Sequence, residues 1–338
     1  MTVLITGGAG FIGSHLVDHL LAETDHEIVV LDDLSTGSAA NLAHVDPDRL
    51  VTRDGDVRNA ELVADLVADA DAVHHLAAAV GVRRIVDEPL TSMMTNLEGT
   101  ENVLSAAAAD GTPTFIASSS EVYGKSEAVP FAEDDDRVYG PTTAPRWSYA
   151  TAKAADEFLA FGYHAEEDLP VVVGRYFNIV GPRQTGEYGM VIPTFVEQAL
   201  ADEDLTVYGD GTQTRSFTHV AEAVRITHEL LETPTAHGDV YNVGTPEPTS
   251  INDLAARVID LTDSDADVTH VPFAEAYDED FEEPDEREPD VSKLVAALGW
   301  KPSADLDRIL RDVIAERRGD ADPTDGPTHV RPERGMSE

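Results

Sequence analysis

The stretch TVLITGGAGFIGSHLVDHLLAE, residues 2–23, limits the possible folds more than any other part of the chain. A short run of aliphatic and β-branched residues ends in a glycine cluster, and a helix-length segment follows at once. Gly8, Gly10 and Gly13 satisfy G-x-G-x-x-G, while Gly7, Gly10 and Gly13 satisfy G-x-x-G-x-x-G, with Phe11 and Ile12 inside the loop. Without a Cβ at such a turn, a pyrophosphate can approach the free N–H groups of the helix N-terminus. A glycine pattern alone also serves ordinary tight turns. The strand before it and the helix after it supply the context that a phosphate cradle requires.

The same alternation continues. EIVVLD (27–32), LVTRDGD (50–56), AVHHLA (72–77), TFIASS (114–119) and VVVGRYFN (171–178) read as further strands, with AELVADLVADA as a helix among them. The fold class is therefore α/β, a Rossmann-type doubly wound parallel sheet over residues 1–178. Beyond residue 178 the pattern changes to a loop (GPRQTGEYG), a helix (IPTFVEQALA), a strand–turn–strand (LTVYGDGTQTRSFTHV) and two helices (INDLAARVIDLT, DLDRILRDVIAERR). Residues 179–318 are expected to form a smaller C-terminal α/β substrate lobe, crossed by returning segments of the first domain. Residues 319–338 carry Pro, Gly and charge without periodicity and are expected to be a disordered tail.

Asp32 ends the second strand, nineteen residues after Gly13, where a carboxylate can accept hydrogen bonds from an adenosine ribose. It would repel a 2′-phosphate, and no arginine follows in DDLSTG, which favours NAD over NADP. Asp56, which ends the third strand, and Val57 would then lie near the adenine.

The chain has 65 Asp and Glu against 23 Lys and Arg, a formal net charge of −42. Such a surface disfavours nucleic acid and anionic membranes. Spread along the whole chain, it suits a halophilic, salt-rich cytoplasm in which counter-ions screen self-repulsion. The chain has no cysteine, so disulfides, thiolate metal sites and cysteine nucleophiles are excluded. His74 and His75 are adjacent on a strand and point to opposite faces, so no metal site is expected.

SYATAK (148–153) sets Tyr149 and Lys153 one helical turn apart. By itself the pair is compatible with surface decoration. However, the glycine loop, Asp32, HLAA (75–78, with Ala77 and Ala78), ASSSEVYG (117–124), Tyr149-x-x-x-Lys153 and RYFNIVGPR (175–183) occur in one order. Together they resemble the extended short-chain dehydrogenase/reductase family, in particular its nucleotide-sugar-modifying enzymes. The resemblance runs from residue 2 to about residue 315.

It implies that Lys153 binds the nicotinamide ribose and, with the cationic ring, lowers the pKa of Tyr149, which takes a proton from a sugar hydroxyl. It implies that Ser120 binds the reacting hydroxyl and that Ser118 touches the cofactor. Phe177 would pack beside the nicotinamide or be an ordinary core aromatic. Asn178, Tyr208, Arg215 and Arg287 would hold a nucleotide diphosphate sugar, a UDP-sugar. Glu121, directly after the serines, would be a catalytic acid/base near the sugar C5, and with Arg146 it favours a UDP-glucuronate decarboxylase forming UDP-xylose. A UDP-glucose/UDP-galactose 4-epimerase comes next and an NDP-sugar 4,6-dehydratase after it, all sharing a 4-keto intermediate. A cofactor-bound sensor without catalysis is the reading from another class. Relatives pair as homodimers through the helix that carries Tyr149.

Overall fold

Residues 2–6 are aliphatic or β-branched throughout, and a strand with both faces buried is what such a run forms. The computed structural model describes residues 1–81, 87–186, 190–272, 275 and 286–320. It places β1 (Thr2–Thr6) inside a seven-stranded sheet with β2 (Glu27–Asp32), β3 (Leu50–Asp54), β4 (Ala72–His75), β5 (Thr114–Ser119) and β6 (Val171–Tyr176). The remaining strands are β7 (Ile179–Val180), β8 (Leu205–Tyr208), β9 (Thr214–Ser216), β10 (Thr218–His219), β11 (Asp239–Val243), β12 (Pro248–Ser250) and β13 (Val268–Val271). Large-sheet order is β11-β6-β5-β4-β1-β2-β3, every pair parallel. The chain runs outward from β1 to β3, then resumes on the other side of β1 with β4. A crevice opens at the carboxyl ends of these strands, at the reversal.

Period-two alternation assigns each strand residue to a helical layer. Val3 and Ile5 pack with α1 (Phe11–Glu23), whereas Leu4 faces α2 (Ala60–Ala68) and α3 (Pro89–Asp110). On β6, Val172 joins the first layer and Val171 and Val173 join the second, which includes Ala160 of α4 (Trp147–Glu167). A separate core is built by α5 (Val191–Leu200), α7 (Ile251–Thr262) and α9 (Leu306–Arg318) around β8. Side chains at the N-caps fix several starts: Asn59 accepts from Leu62 N, Ser250 from Asp253 N and Asp305 from Arg308 N.

Helix α1 coincides with the span read from sequence, and α7 does too. Helix α3 is absent from that reading. Its small polar residues and central Gly99 blur the apolar stripe, yet that glycine has a packing reason. A Cβ on it would lie 2.6 Å from Val57 Cγ2. The boundary expected at residue 178 is crossed by β11, which pairs with β6, and by α6 (Val220–Leu231) and α8 (Ser292–Leu298) in the α1 layer. The expected tail, residues 319–338, lies outside the described residues apart from its first two positions. Among the described residues, no helix is long and apolar enough to cross a membrane.

His74 and His75 do point opposite ways. His74 packs against Phe115 and His228, while His75 bonds Thr6 Oγ1 and Thr100 Oγ1. Among the described residues no group of side chains could hold a metal ion. Burial lowers the pKa of His15, His74 and His75 to about 4, about 3 and about 3, against 6.5 in the unfolded chain. Over that interval the unfolded chain binds more protons, so these groups' stabilisation is full above about 6.5 and is lost as pH falls toward the folded values. At constant high salt, Tm should decline from pH 7 to pH 5. A level or rising Tm in a calorimetric series would contradict this.

Candidate active site

A crevice of about 740 Å³ runs from the glycine loop, past the carboxyl ends of β1, β4 and β5, to the second lobe. At its first end the backbone itself comes close. Gly7 has φ +74°, and a Cβ there would lie 2.7 Å from Ala77 N. One on Gly13 would lie 2.1 Å from Gly7 O. No side chain caps α1 at Gly10, and its first turn carries no acid. The helix therefore offers its unsatisfied N–H groups to an anion.

Asp32 Oδ2 accepts from Ala9 N at 2.9 Å and Oδ1 from Leu34 N at 2.9 Å, which locks the acid to the glycine loop. Burial raises its pKa while these N–H groups pull it back. A carboxylate has lone pairs left after two bonds, enough for a ribose diol. The loop, the uncapped helix and Asp32 thus fit a dinucleotide. Ile12, Val57, Ala77 and Ala78 line the same end.

Tyr149 and Lys153 project from the first turns of α4 into the middle of the crevice. Lys153 is buried, and its Nζ donates to Ala117 O at 3.0 Å and to Asp156 Oδ2 at 3.2 Å. The Ser119 hydroxyl stands by the Tyr149 phenol and favours its ionised form. Burial, and next the Glu121 charge, push the phenol well above its ordinary range. Protein alone therefore keeps this hydroxyl protonated; a lowered phenol pKa needs further positive charge in the crevice.

The three serines play three parts. Ser118 Oγ donates to Glu157 Oε1 at 2.6 Å, so its hydroxyl is committed to the buried Glu157–Arg175 pair. Ser119 meets the phenol and also accepts from Glu121 N at 3.2 Å, capping the 3-10 turn Ser120–Tyr123. Ser120 starts that turn and lines the crevice. Strand alternation would place Ser118 and Ser120 alike, but the turn breaks the alternation at this point. The family resemblance gave roles to Ser118 and Ser120 and none to Ser119.

Glu121 anchors the opposite wall. Arg287 Nη1 donates to Oε1 at 2.7 Å, and Arg146 Nη2 lies 3.6 Å from Oε2. Burial, the largest influence, would raise this carboxyl's pKa. Arg287 and Arg146, with a further contribution from Arg215, hold it down at about 2. Arg215 and Arg287 are buried. The segment carrying Arg287 is fastened by Phe131 N to Glu288 O and Asp290 N to Phe131 O, each 2.8 Å. Asn178 also lines the wall, its Nδ2 donating to Ser216 O at 2.9 Å, and half-exposed Tyr208 stands at the mouth.

Two expected residues are not brought into the crevice. Asp56 turns to Arg58, whose Nε sits 2.9 Å from Oδ2. Phe177 is fully buried beside Tyr123, in an apolar cluster with Phe131 and Ala154. It is the core aromatic of the two readings, because its backbone pairs with Val243 at the sheet end and turns the ring inward.

Residues 3–244 match the NAD dependent epimerase/dehydratase family. Over 312 residues the chain is 40% identical to a UDP-N-acetyl-α-D-glucosaminuronate decarboxylase of Bacillus cytotoxicus, covering 92% of this chain and 96% of that one. It is 34% identical to UDP-glucuronic acid decarboxylase 1 of Xenopus tropicalis, covering 92% and 71%. Among solved structures, UDP-glucuronic acid 4-epimerase from Bacillus cereus, in complex with UDP-glucuronic acid and NAD, superposes with a TM-score of 0.83 at 29% identity, covering 94% and 99%. With the glycine cradle and the Tyr149–Lys153 pair in one crevice, the chain belongs to the NAD dependent epimerase/dehydratase family of nucleotide-sugar enzymes.

Proposed function

We propose that this enzyme decarboxylates a UDP-linked hexuronate, UDP-glucuronate to UDP-xylose being the reaction we favour. One observation carries the reading: Arg146, Arg215 and Arg287 converge on one buried wall beside Tyr149, in a chain with only 23 cationic residues. Guanidiniums are suited to bidentate binding of carboxylate and diphosphate oxygens. Two decarboxylases of UDP-uronates stand among its relatives.

Bound NAD supplies two-electron oxidation at the sugar C4 and its reversal. Gly7, Gly10 and Gly13 would cradle its pyrophosphate, Asp32 its adenosine ribose and Lys153 its nicotinamide ribose. Tyr149 takes the C4 hydroxyl proton while Ser119 steadies that oxygen. The resulting C4 ketone is β to the C6 carboxylate. The C5–C6 bond then breaks, carbon dioxide leaves, and the electron pair passes into the enolate of the ketone. Tyr149, now protonated, and Ser119 donate hydrogen bonds to the enolate oxygen. A proton from solvent would be taken up at C5, and hydride return to C4 with the Tyr149 proton passing back to the C4 oxygen would give the UDP-pentose. With a pKa of about 2, Glu121 is ionised in the resting site. Its role is to order the arginines, and its charge favours departure of the substrate carboxylate as a neutral gas.

A 4-epimerase is the second reading, because the Bacillus cereus neighbour was solved with a UDP-uronate bound. Purified protein in high salt with UDP-glucuronate and, separately, its 2-acetamido analogue should release carbon dioxide and form a UDP-pentose from at least one. Formation of the 4-epimer from both without gas release would transfer the assignment to epimerase. Tyr149→Phe should reduce kcat by about 10²–10⁴-fold. Gly13→Ala should abolish NAD binding by calorimetry, since the new Cβ meets the Gly7 carbonyl at 2.1 Å.

We further infer a homodimer through α3 and α4, which pack on each other and expose Leu90 (75%), Met94 (37%) and Phe158 (70%). Light scattering should give twice the chain mass, and Phe158→Glu should return a monomer. An acidic, screened surface implies a need for salt; full activity after dialysis to low salt would remove that proposal.

A further inference from the structure

The wall behind the crevice holds several buried charges, and all but one carboxylate have guanidinium partners. Glu121 faces Arg287 and Arg146. Glu157 is held by Arg175 at 2.8 Å and Arg137 at 2.9 Å. His75, the titratable group that β4 turns toward Lys153, is kept neutral by burial first and by the Lys153 charge second. That leaves Asp156, fully buried on α4, one turn beyond Lys153. Its Oδ2 lies 3.2 Å from Lys153 Nζ, its Oδ1 is buried, and the Thr100 hydroxyl is the other group that favours its charged form.

We propose that Asp156 is the positioning residue for Lys153: its carboxylate fixes the ammonium against the Ala117 carbonyl and balances its charge. The assignment rests on Tyr149 and Lys153 acting as the pair described above. Two N–H directions of the ammonium are taken by Ala117 O and Asp156, which orients the third. Equally, the ammonium's effect on the phenol is largely cancelled, since a buried anion beside it opposes a second anion one turn away. Tyr149 indeed feels Asp156 as well as Glu121 as charges that disfavour its ionisation. Burial raises the Asp156 pKa, and the Lys153 charge opposes that rise. The consequence is a gated base. The Tyr149 hydroxyl stays protonated until more positive charge enters the crevice.

The test uses the NAD-loaded enzyme without substrate. Phenolate absorbance is titrated against pH, with Tyr149→Phe as the blank. Asp156→Asn keeps an oxygen facing the ammonium and removes the charge. It should lower the phenol midpoint by about one pH unit, and Asp156→Ser should do the same. A lowered Tm with an unmoved midpoint would make Asp156 merely structural and overturn the proposal. A second measurement leaves Asp156 in place. In Lys153→Met the carboxylate loses its counter-charge and should take up a proton, adding a buried carboxylic-acid band in the infrared at neutral pH. The band should vanish in Lys153→Met/Asp156→Asn, and identical spectra would refute the pairing. Neither readout involves turnover, so failure here is distinct from failure of the decarboxylase assignment.

Discussion

A cation taken out of water survives only beside an anion, and that constraint organises this molecule's functional wall. Lys153, Arg175, Arg215 and Arg287 are all buried in a chain of formal net charge −42. Each lies close to the crevice or directly behind it. The surface is left to the acids, while the interior gathers positive charge where an anionic substrate must be recognised. Desolvation makes each of these pairs expensive to break, so the wall is rigid. A rigid array of guanidiniums can meet a sugar diphosphate without first reorganising.

That wall depends on the sheet. Lys153 donates to the last residues of β5 through Ala117 O, and Arg175 of β6 ties the next turn of α4 through Glu157. Ser118 and Arg175 are register partners across β5 and β6, so two of the three side chains that hold Glu157 arise from one rung of the ladder. Parallel pairing therefore sets the depth of Tyr149 in the crevice. The charge of Glu121 reaches the same phenol from the 3-10 turn that ends β5.

The legible parts of the sequence were those with local causes. Glycines that must lack a Cβ, an acid closing β2 and a tyrosine and lysine one turn apart are set by neighbours in the chain. The α/β class and most strand positions followed from periodicity. Helix α3 did not, because Gly99 and its polar neighbours answer to Val57 on a distant segment. The resemblance gave roles to Ser118 and Ser120 and none to Ser119, whose place beside the phenol follows from the 3-10 turn that succeeds β5. Asp156 carried no signal at all. An acid among many on a helix becomes informative only when its burial against Lys153 is seen.

The seventh strand has a consequence for biosynthesis. β11 covers the outer edge of β6, an apolar strand, but lies more than sixty residues downstream of it. A ribosome making this chain releases β6 well before its neighbour exists. For that interval the nascent sheet ends in an open, hydrophobic border of the sort that recruits strands from other chains. Chaperone shelter during elongation would matter most between the emergence of Val171 and that of Val243.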